Sequence, residues 1–508
     1  MSNKKNKVSL NPIMTLMILI VVTIVLSGVL ALFGVGASYD TIKNSTYESN
    51  WVAVESLFNL RGIKYIFQST VSNFAAFTPL SMLIIILIGI GIMDKSGFLK
   101  TTFSLITRKC QKKTLTFVLA LICIILSIGG DLAYVVMIPL SALLFYYGRR
   151  NPLLGIVISF AALTCGTGLS FFKTSIDSSL DASTLESSRI LDSSYTFTYL
   201  GYFIIMVVAI LAIAALITYI SERFSVNELP KYEFKDDKKD FKLAKRDIRG
   251  LIFAGTFGII YLLIFIYNII PGLPLSGNLL DYTQKLYIDK LFNPDSFFSQ
   301  GFVFIVTILF VILGLFYGLG SRSIKNSNDF CDYLTHSLDG IGRTIILILL
   351  SSILVNVFKK SNIGTVITAL IGNLITNCKF TGIPLLVLFF IGTAVATFFL
   401  PNTVNKWTIL SASCVPTLMN VGFSAEFIQV IFRFAEGMTY GLTPIMAYFV
   451  IYLAYMEKYN TADNPIGVFK ILNYQKKYAL ATGVILLIIL IIWYLVGLPI
   501  GIGVMPTI

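Results

Sequence analysis

The sequence of 508 residues predicts an all-α polytopic membrane protein with about nine transmembrane helices and two re-entrant helical hairpins, arranged as an inverted-topology repeat. Hydrophobic residues make up 56% of the chain, charged residues only 13%, and the mean hydropathy is +0.82. This composition leaves too little polar surface to cover a soluble globule of this size. Long apolar runs recur along the chain, and two apolar segments are divided by a polar centre.

The long apolar runs are the first observation behind this prediction. A helix needs about 20 predominantly apolar residues to cross the hydrocarbon core of a bilayer. The first run is too long for the core of a signal peptide, so we expect it to remain as the first helix. The nine predicted crossings lie near residues 12–35, 72–93, 152–172, 197–220, 248–271, 299–319, 340–358, 425–455 and 478–499.

The two divided segments, 114–147 and 380–420, each consist of two shorter apolar halves around a polar centre. Each half looks too short to span the bilayer once its polar end is discounted, so we predict a re-entrant hairpin in both places. Irregular backbone at membrane depth is tolerated only inside protein or beside a water-filled cavity. The alternative, for the second segment, is that 380–400 and 404–420 are each an ordinary short span, with a tight loop at the membrane surface.

Basic residues indicate the orientation of the chain, because Lys and Arg in short loops mark the cytoplasmic side. They place the N-terminus in the cytoplasm and residues 36–70 outside. The net charge of +13 largely reflects these loops, and no nucleic-acid-binding motif accompanies them, so we expect no nucleic-acid partner. The clusters are Lys4, Lys5 and Lys7, then Lys95 to Lys113, Arg149 and Arg150, Arg223 to Arg249, and Arg322 with Lys325.

The two halves of the chain follow the same order of elements with opposite orientation. Span 72–93 runs inward and is followed by a hairpin that enters from the cytoplasm, whereas span 340–358 runs outward and is followed by a hairpin that enters from outside. We therefore divide the chain into an N-terminal helix with an external loop (1–71), a first repeat (72–220), a cytoplasmic linker with scaffold helices (221–339), and a second repeat with the C-terminal helix (340–508).

Inverted repeats are the architecture of many secondary transporters, which bind substrate near the membrane midplane where hairpin tips and interrupted helices meet. The predicted tips are 129–131 and 401–407, and glycines interrupt the helix after each hairpin, at 165–177 and 433–444. No Walker A pattern is present, so we do not expect ATP-driven transport. A channel and an intramembrane enzyme are the other classes considered, but no catalytic spacing supports an enzyme.

Arg433 and Glu436 lie three residues apart inside an apolar run. Charges inside a membrane span are costly and usually face a partner, a cavity or a pathway. In the functional interpretation, Arg433 binds a substrate carboxylate and Glu436 is a coupling-ion or proton site, because the planar guanidinium suits bidentate binding. In the structural interpretation, the two residues form an internal ion pair that holds the helices together.

Several long segments resemble the AbgT family of aminobenzoyl-glutamate transporters. The resemblance implies a homodimeric inner-membrane carrier with nine spans and two hairpins. It implies ion-coupled transport of p-aminobenzoyl-glutamate or a related aromatic carboxylate, with sodium ions or protons as the coupling ion. Carriage of other small carboxylates and export of sulfonamide drugs are the alternatives. The segments are VSNFAAFTPLSMLIIILIGIGIMDKSGF, GGDLAYVVMIPLSALLFYYGRRNPLLGIVISFAA, KWTILSASCVP and FRFAEGMTYGLTPIMAYF.

The resemblance also suggests roles for individual residues. Trp407 matches a tryptophan at the second hairpin tip, Arg433 a buried arginine, and Glu436 an acidic residue one turn further on. Asp131 matches an aspartate of the first tip, although its place before an apolar helix equally predicts a helix cap. Asp177 matches an acidic residue after the first interrupted helix, although its polar surroundings also suit an external loop.

The chain departs from the family pattern near the second tip. Val404 replaces a serine expected to contact ligand, while Thr397 and Tyr440 each replace an asparagine. Thr439 is retained. The candidate ion-coupling residues are Glu436, Asp177, Thr397 and Thr439.

The chemistry of p-aminobenzoyl-glutamate requires a cation for a carboxylate, an aromatic wall for the ring, and amide or hydroxyl partners. The partners expected are therefore a small anionic molecule and membrane lipid. The six cysteines and single histidine show no metal-binding spacing, so we expect neither a metal site nor a bound cofactor. The candidate substrate-binding residues are Arg433, Trp407, Asn402, Thr403, Asn405 and Asp131.

Overall fold

The computed structural model describes residues 10–43, 46–170, 174–198, 200–234, 242–293, 295–461 and 465–508. Three of the basic residues used to orient the N-terminus, Lys4, Lys5 and Lys7, lie outside these ranges. So does part of the predicted interruption at 165–177 and part of the charged linker that follows residue 221. The described residues form helices throughout, together with a two-stranded sheet.

The first part of the chain contains a β-hairpin after the first helix. Strands β1 (Gly36–Lys43) and β2 (Thr46–Ala53) pair antiparallel, with Gly36 opposite Ala53. The helices of this part are α1 (Pro12–Leu32), α2 (Leu60–Ala75), α3 (Thr78–Lys95), α4 (Phe98–Lys109), α5 (Lys112–Leu126), α6 (Asp131–Tyr147), α7 (Pro152–Gly166), α8 (Ser175–Ser188) and α9 (Phe203–Ile220).

The second part contains the remaining described helices, the first of which, α10, is only three residues long. Helices α11 and α13 pack against each other, and α13 also packs against α3. The bounds are α10 (Val226–Glu228), α11 (Lys245–Ile269), α12 (Tyr287–Phe292), α13 (Phe297–Ser321), α14 (Ser327–Thr335), α15 (Gly342–Lys360), α16 (Ile363–Asn377), α17 (Gly382–Phe399), α18 (Thr403–Met419), α19 (Ala425–Thr439), α20 (Phe449–Lys458) and α21 (Val468–Val496).

The β-hairpin is an element that the sequence analysis did not predict. Most residues of β2 are exposed, so the strand lacks the regular apolar face that identifies a half-buried strand in a sequence. Ala37 of β1 and Val54, which directly follows β2, are buried beside Ile363 and Val366 of α16. Strand β1 packs against α16 and α18, so the β-hairpin supports the second predicted hairpin from one side.

The prediction of about nine membrane-spanning helices is confirmed, although two members of the set differ. Among the described residues, nine helices are long and apolar enough to cross a membrane. They include the first arm of each predicted hairpin, Lys112–Gly129 and Gly382–Phe399. They omit the predicted crossings 152–172 and 425–455, because α7 and α19 are each only 15 residues long.

Both predicted hairpins consist of two helices joined by a short turn. The first arms are each 18 residues long when the 3-10 turn Ser127–Gly129 that extends α5 is included, so the expectation that every half is too short to span the bilayer is wrong for these two arms. The second arms, α6 and α18, are each 17 residues long. Helix length alone therefore does not distinguish a re-entrant hairpin from two spans, and re-entry into the membrane stays a prediction.

The helix after each hairpin is interrupted where the glycines predict it. Helix α7 ends at Gly166, and Gly168 adopts a left-handed backbone with φ +94°. Helix α19 ends at Thr439, and regular helix resumes only at α20. All residues of α7 and nearly all of α19 are buried, so the two interrupted helices lie at the centre of the protein.

The two interruptions contact each other through glycines. A Cβ on Gly168 would lie 2.7 Å from the carbonyl oxygen of Arg433, and a Cβ on Gly437 would lie 2.7 Å from that of Cys165. Only glycine permits so close an approach of two backbones. The positive φ of Gly168 adds a second reason for glycine at that position.

Replacing Gly168 with alanine is expected to destabilise the protein by about 1–3 kcal/mol from the left-handed backbone alone, with the clash adding to this cost. The matched control is Gly255→Ala in α11, where nothing lies within 4 Å of the added Cβ. Thermal unfolding of both variants in detergent measures the difference. Equal unfolding temperatures for the two variants would contradict the close approach at Gly168.

Candidate functional site

Four charged side chains from three helices meet at the centre of the protein, and we call them the charge cluster: Asp177 of α8, Lys406 of α18, and Arg433 and Glu436 of α19. The Arg433 guanidinium lies 3.0 Å from Glu436 Oε2 and 3.4 Å from Asp177 Oδ1. Lys406 Nζ lies 2.7 Å from Glu436 Oε1, and both of these side chains have 0% exposure. Glu436 therefore contacts a cation with each of its oxygens.

The start of each helix explains how these side chains are positioned. Ser424 caps α19, which places Arg433 and Glu436 on one face about one turn apart. Asn402 caps α18 by accepting a hydrogen bond from the Asn405 amide, so Lys406 lies in the first turn. Thr174 and Asp177 form a capping box at the start of α8.

Asp177 has two roles in this arrangement. Its Oδ2 accepts hydrogen bonds from the Thr174 amide at 3.0 Å and from the Thr174 hydroxyl at 2.7 Å. Its Oδ1 is the oxygen that faces Arg433. The alternative that Asp177 belongs to an external loop is wrong, because the residue lies buried in the first turn of α8.

Trp407 lies in a second buried group, which we call the tryptophan network: Asp181, Thr184, Trp407 and Gln429. Trp407 Nε1 donates to Thr184 Oγ1 at 3.0 Å, and the Thr184 hydroxyl donates to Gln429 Oε1 at 2.6 Å. Gln429 Nε2 donates to Asp181 Oδ1 at 2.7 Å. The indole also packs against the ring of Phe432, with 4.3 Å between ring centroids.

The remaining predicted site residues in this half of the chain are Asn402, Thr403, Asn405, Thr397 and Thr439. Asn402 and Asn405 are exposed, and Thr403 is the half-buried first residue of α18. The Thr397 hydroxyl donates to the carbonyl of Thr393 at 2.8 Å, and the Thr439 hydroxyl donates to that of Ala394. These two hydroxyls contact α17 backbone, and their oxygens retain acceptor capacity.

Asp131 lies at the turn between α5 and α6. It is the first residue of α6, and Gly130 occupies the capping position without a side-chain bond, so the predicted cap at Asp131 is wrong. An acidic group in the first turn still complements the helix dipole. Its carboxylate faces the hydroxyl of Tyr448, and Tyr440 lies within electrostatic range of both Asp131 and Glu436.

Lys406 was not among the predicted site residues, and neither were Asp181, Thr184 and Gln429. One signal was present in the sequence. Asp177, Asp181 and Thr184 follow the i, i+4, i+7 spacing of one helix face, and Gln429, Arg433 and Glu436 follow the same spacing. The two polar faces lie opposite each other in the structure, where Gln429 bonds Asp181 and Arg433 contacts Asp177.

The first residues of α19 are also held by hydrogen bonds. Tyr195 donates to Glu426 and accepts a hydrogen bond from the Ala425 amide at 3.1 Å. Burial, reinforced by the bond to Glu426, raises the pKa of the Tyr195 phenol, so the proton stays on the tyrosine. Ser424 donates hydrogen bonds to two backbone carbonyls, from its amide to that of Pro506 and from its hydroxyl to that of Met505. These contacts hold the start of α19 in place.

The charge cluster contains two cations and two carboxylates, so its formal charges cancel. Arg433 already pairs with two carboxylates, so the ion pair of the structural interpretation is present in this conformation. Among the described residues, Arg433 Nε has no hydrogen-bond partner. In the same part of the chain, no group of three or more His, Cys, Asp or Glu side chains is arranged to hold a metal ion.

Comparison with known proteins assigns the chain to a family. The sequence profile of the AbgT putative transporter family matches residues 4–508. The p-aminobenzoyl-glutamate transport protein of Escherichia coli (strain K12) is 24% identical over 505 residues, covering 99% of this chain and 95% of the relative.

Two solved transporter structures are also similar. The YdaH transporter of Alcanivorax borkumensis is 23% identical, with coverage of 97% of this chain and 100% of that chain and a TM-score of 0.48. The Neisseria gonorrhoeae MtrF structure, described as illuminating a class of antimetabolite efflux pumps, is 26% identical, with 98% coverage of both chains and a TM-score of 0.48. Because the family profile matches almost the whole chain, this multi-pass membrane protein belongs to the AbgT family of transporters.

Proposed function

We propose that the protein is a secondary active carrier that moves p-aminobenzoyl-glutamate, or a related aromatic carboxylate, across the inner membrane by alternating access. The observation that carries this proposal is the buried Arg433 between two carboxylates at the centre of the protein. A buried guanidinium that can exchange one carboxylate partner for another is suited to binding an anionic substrate. The name of the Escherichia coli relative supports the substrate class.

The exchange would occur at Asp177. Its contact with Arg433, at 3.4 Å, is longer than the 3.0 Å contact between Arg433 and Glu436. A substrate carboxylate that takes the place of Asp177 would face two nitrogens of Arg433. These are Nη2, which contacts Asp177, and Nε, which has no hydrogen-bond partner among the described residues. Asp177 Oδ2 would keep its two hydrogen bonds from Thr174, and only Oδ1 would lose its contact with Arg433.

The aromatic ring of the substrate would bind beside Trp407 and Phe432. These rings pack against each other and are fully buried, so a substrate must separate neighbouring helices to reach them. Such an opening is the expected motion of an alternating-access carrier. The exposed amides of Asn402 and Asn405, with the Thr403 hydroxyl, would provide polar contacts at the tip.

The coupling ion would be a proton or a sodium ion. Asp177 and Glu436 are the carboxylates available to either ion, and the hydroxyl oxygens of Thr397 and Thr439 could complete an oxygen shell around a hard cation. A proton requires only a carboxylate released from its cation. Separate ion gradients distinguish the two.

Uptake of labelled p-aminobenzoyl-glutamate into proteoliposomes tests this function, with sodium and proton gradients imposed one at a time. We expect saturable flux driven by one gradient, and none in protein-free liposomes. Unlabelled small carboxylates and sulfonamides as competitors test the alternative substrates. Single-channel currents instead of saturable, gradient-dependent flux would replace the carrier with a channel, and folded protein without flux for any of these compounds would reject the proposed substrates.

We further propose a homodimer in the inner membrane with a cytoplasmic N-terminus. The distribution of basic residues in short loops supports this orientation. Large apolar side chains exposed along α11, including Ile252, Ile259 and Leu263, suit contact with lipid or with a second copy. Accessibility of cysteines introduced beyond residue 325 and within 46–53 to a membrane-impermeant reagent tests the orientation, and the mass of the purified protein tests the dimer.

A further inference from the structure

Lys406 is a fully buried ammonium group inside the protein. Its Nζ lies 2.7 Å from Glu436 Oε1 and 3.4 Å from the carbonyl oxygen of Leu400, and it lies 5.5 Å from the centroid of the Phe432 ring. A carboxylate, a carbonyl oxygen and an aromatic face are ligands that a bound cation would seek. Lys406 thus supplies from the protein itself a cation that a carrier would otherwise take from solution.

The formal charge of the cluster depends on this lysine. Asp177 and Glu436 contribute two negative charges, and Arg433 and Lys406 contribute two positive charges. A net charge in a site of low dielectric is costly, whereas a balanced set of paired charges is tolerated. Without the lysine, the same residues would carry one unbalanced negative charge.

We propose that Lys406 is a positioning residue that acts as the fixed counter-cation of the transport site. Its ammonium pairs with one oxygen of Glu436, and Glu436 in turn orients Arg433 through its other oxygen. The inference rests on the proposed carrier function. A substrate carboxylate that displaces Asp177 from Arg433 adds one negative charge to the site. One cation must therefore enter with the substrate and bind Asp177.

This assignment moves the coupling role from Glu436 to Asp177. Glu436 holds a cation with each oxygen and is not released when Arg433 exchanges its other partner. Among the described residues, Asp177 contacts one cation, Arg433, by the longest of the three ion contacts. The released carboxylate is the one that needs a new proton or sodium ion.

Other ionisable groups lie near the cluster, and the variants below leave all of them unchanged. Asp181 of α8 accepts a hydrogen bond from Gln429. Asp131 of α6 lies within electrostatic range of Tyr440, which is also within range of Glu436. Tyr202, at the start of α9, lies within electrostatic range of Arg433. Neutral phenols leave the count unchanged, and Asp131 and Asp181 are common to all the variants below.

Three variants test the charge balance: Lys406→Met, Glu436→Gln, and the double variant that carries both changes. The uptake KM for labelled p-aminobenzoyl-glutamate is measured in proteoliposomes from acidic to alkaline pH, at constant sodium. Removing one partner of a buried charge pair is expected to raise KM about thirtyfold or more. The double variant removes one charge of each sign and is expected to bring KM within about threefold of the wild-type value.

The two single variants are expected to respond to pH in opposite directions. Lys406→Met leaves an extra negative charge, so its KM falls toward the wild-type value in acid, where a proton replaces the ammonium. Glu436→Gln leaves an extra positive charge, so its KM falls in alkali, where Lys406 loses its proton. A role confined to packing would give neither mirrored pH profiles nor rescue in the double variant.

Thermal unfolding of the same purified proteins provides a measurement that does not depend on the substrate. Each single variant is expected to unfold at a lower temperature than the wild type, and the double variant is expected to recover the difference. Absence of wild-type flux with recovery in the unfolding experiment would reject the proposed function but not the charge balance. A double variant as impaired as the worse single variant, in KM and in unfolding, would overturn the role of Lys406.

Discussion

Arg433→Ala is expected to abolish saturable uptake. The substitution removes the guanidinium from between Asp177 and Glu436, leaving two buried carboxylates with Lys406 alone. A substrate carboxylate then loses its partner and meets an excess of negative charge. Truncating one partner of a buried charge pair costs about 2–5 kcal/mol, which corresponds to a rise in KM of roughly thirtyfold to several thousandfold.

Arg433→Lys separates charge from geometry in the same experiment. A lysine retains the positive charge but cannot form two parallel bonds with a carboxylate. We therefore expect measurable flux with a KM raised by about tenfold or more, the loss of roughly one charged hydrogen bond. Flux should follow the order wild type, Arg433→Lys, Arg433→Ala.

The matched control is Arg150→Ala. Arg150 is also nearly buried and pairs with Glu222, but it lies at the end of α5 and α6 opposite the hairpin tip. Its removal should lower the unfolding temperature while the uptake KM stays close to the wild-type value. Equal loss of flux in the Arg150 and Arg433 variants would show that transport fails through instability, and normal flux in Arg433→Ala would place the substrate elsewhere.

Trp407→Ala is expected to give the second large effect, a loss of detectable flux. The indole is fully buried, packs against Phe432 and donates a hydrogen bond to Thr184. Truncation removes the proposed aromatic wall and leaves a cavity that costs about 3–5 kcal/mol of stability. Because this variant combines both losses, the smaller change Trp407→Phe is the sharper test.

Trp407→Phe retains an aromatic ring but removes the indole N–H. The Thr184 hydroxyl then loses a donor, and the tryptophan network loses its link between α18 and α8. We expect KM to rise about tenfold, because an unmade buried hydrogen bond costs about 1–3 kcal/mol. The maximal rate should change less than KM, because the ring itself remains.

Trp493→Phe is the control for this variant. Trp493 of α21 is also buried, and its Nε1 donates to the carbonyl of Pro499 at 3.2 Å. It makes the same kind of bond outside the candidate site, so its loss should leave KM unchanged. Identical KM values for the two phenylalanine variants would remove Trp407 from the proposed substrate site.

Local features of the sequence predicted much of this architecture. The arms of the segments 114–147 and 380–420 end within a few residues of the predicted bounds, because apolar length and turn-forming residues are properties of the chain itself. The interruptions after α7 and within 433–444 follow from glycines for the same reason. The β-hairpin and the burial of α8 were not predictable from these signals, since their surroundings come from distant helices.

For the candidate site too, some features follow from the local sequence and others only from the tertiary structure. Composition and long apolar runs determined a membrane protein, and the spacing of Arg433 and Glu436 determined that they share a helix face. Only the tertiary structure decided that Lys406 neutralises Glu436 and that Asp177 reaches Arg433. Those contacts join residues 30 and more than 250 positions apart, and such distances depend on how α8, α18 and α19 pack, which no local pattern specifies.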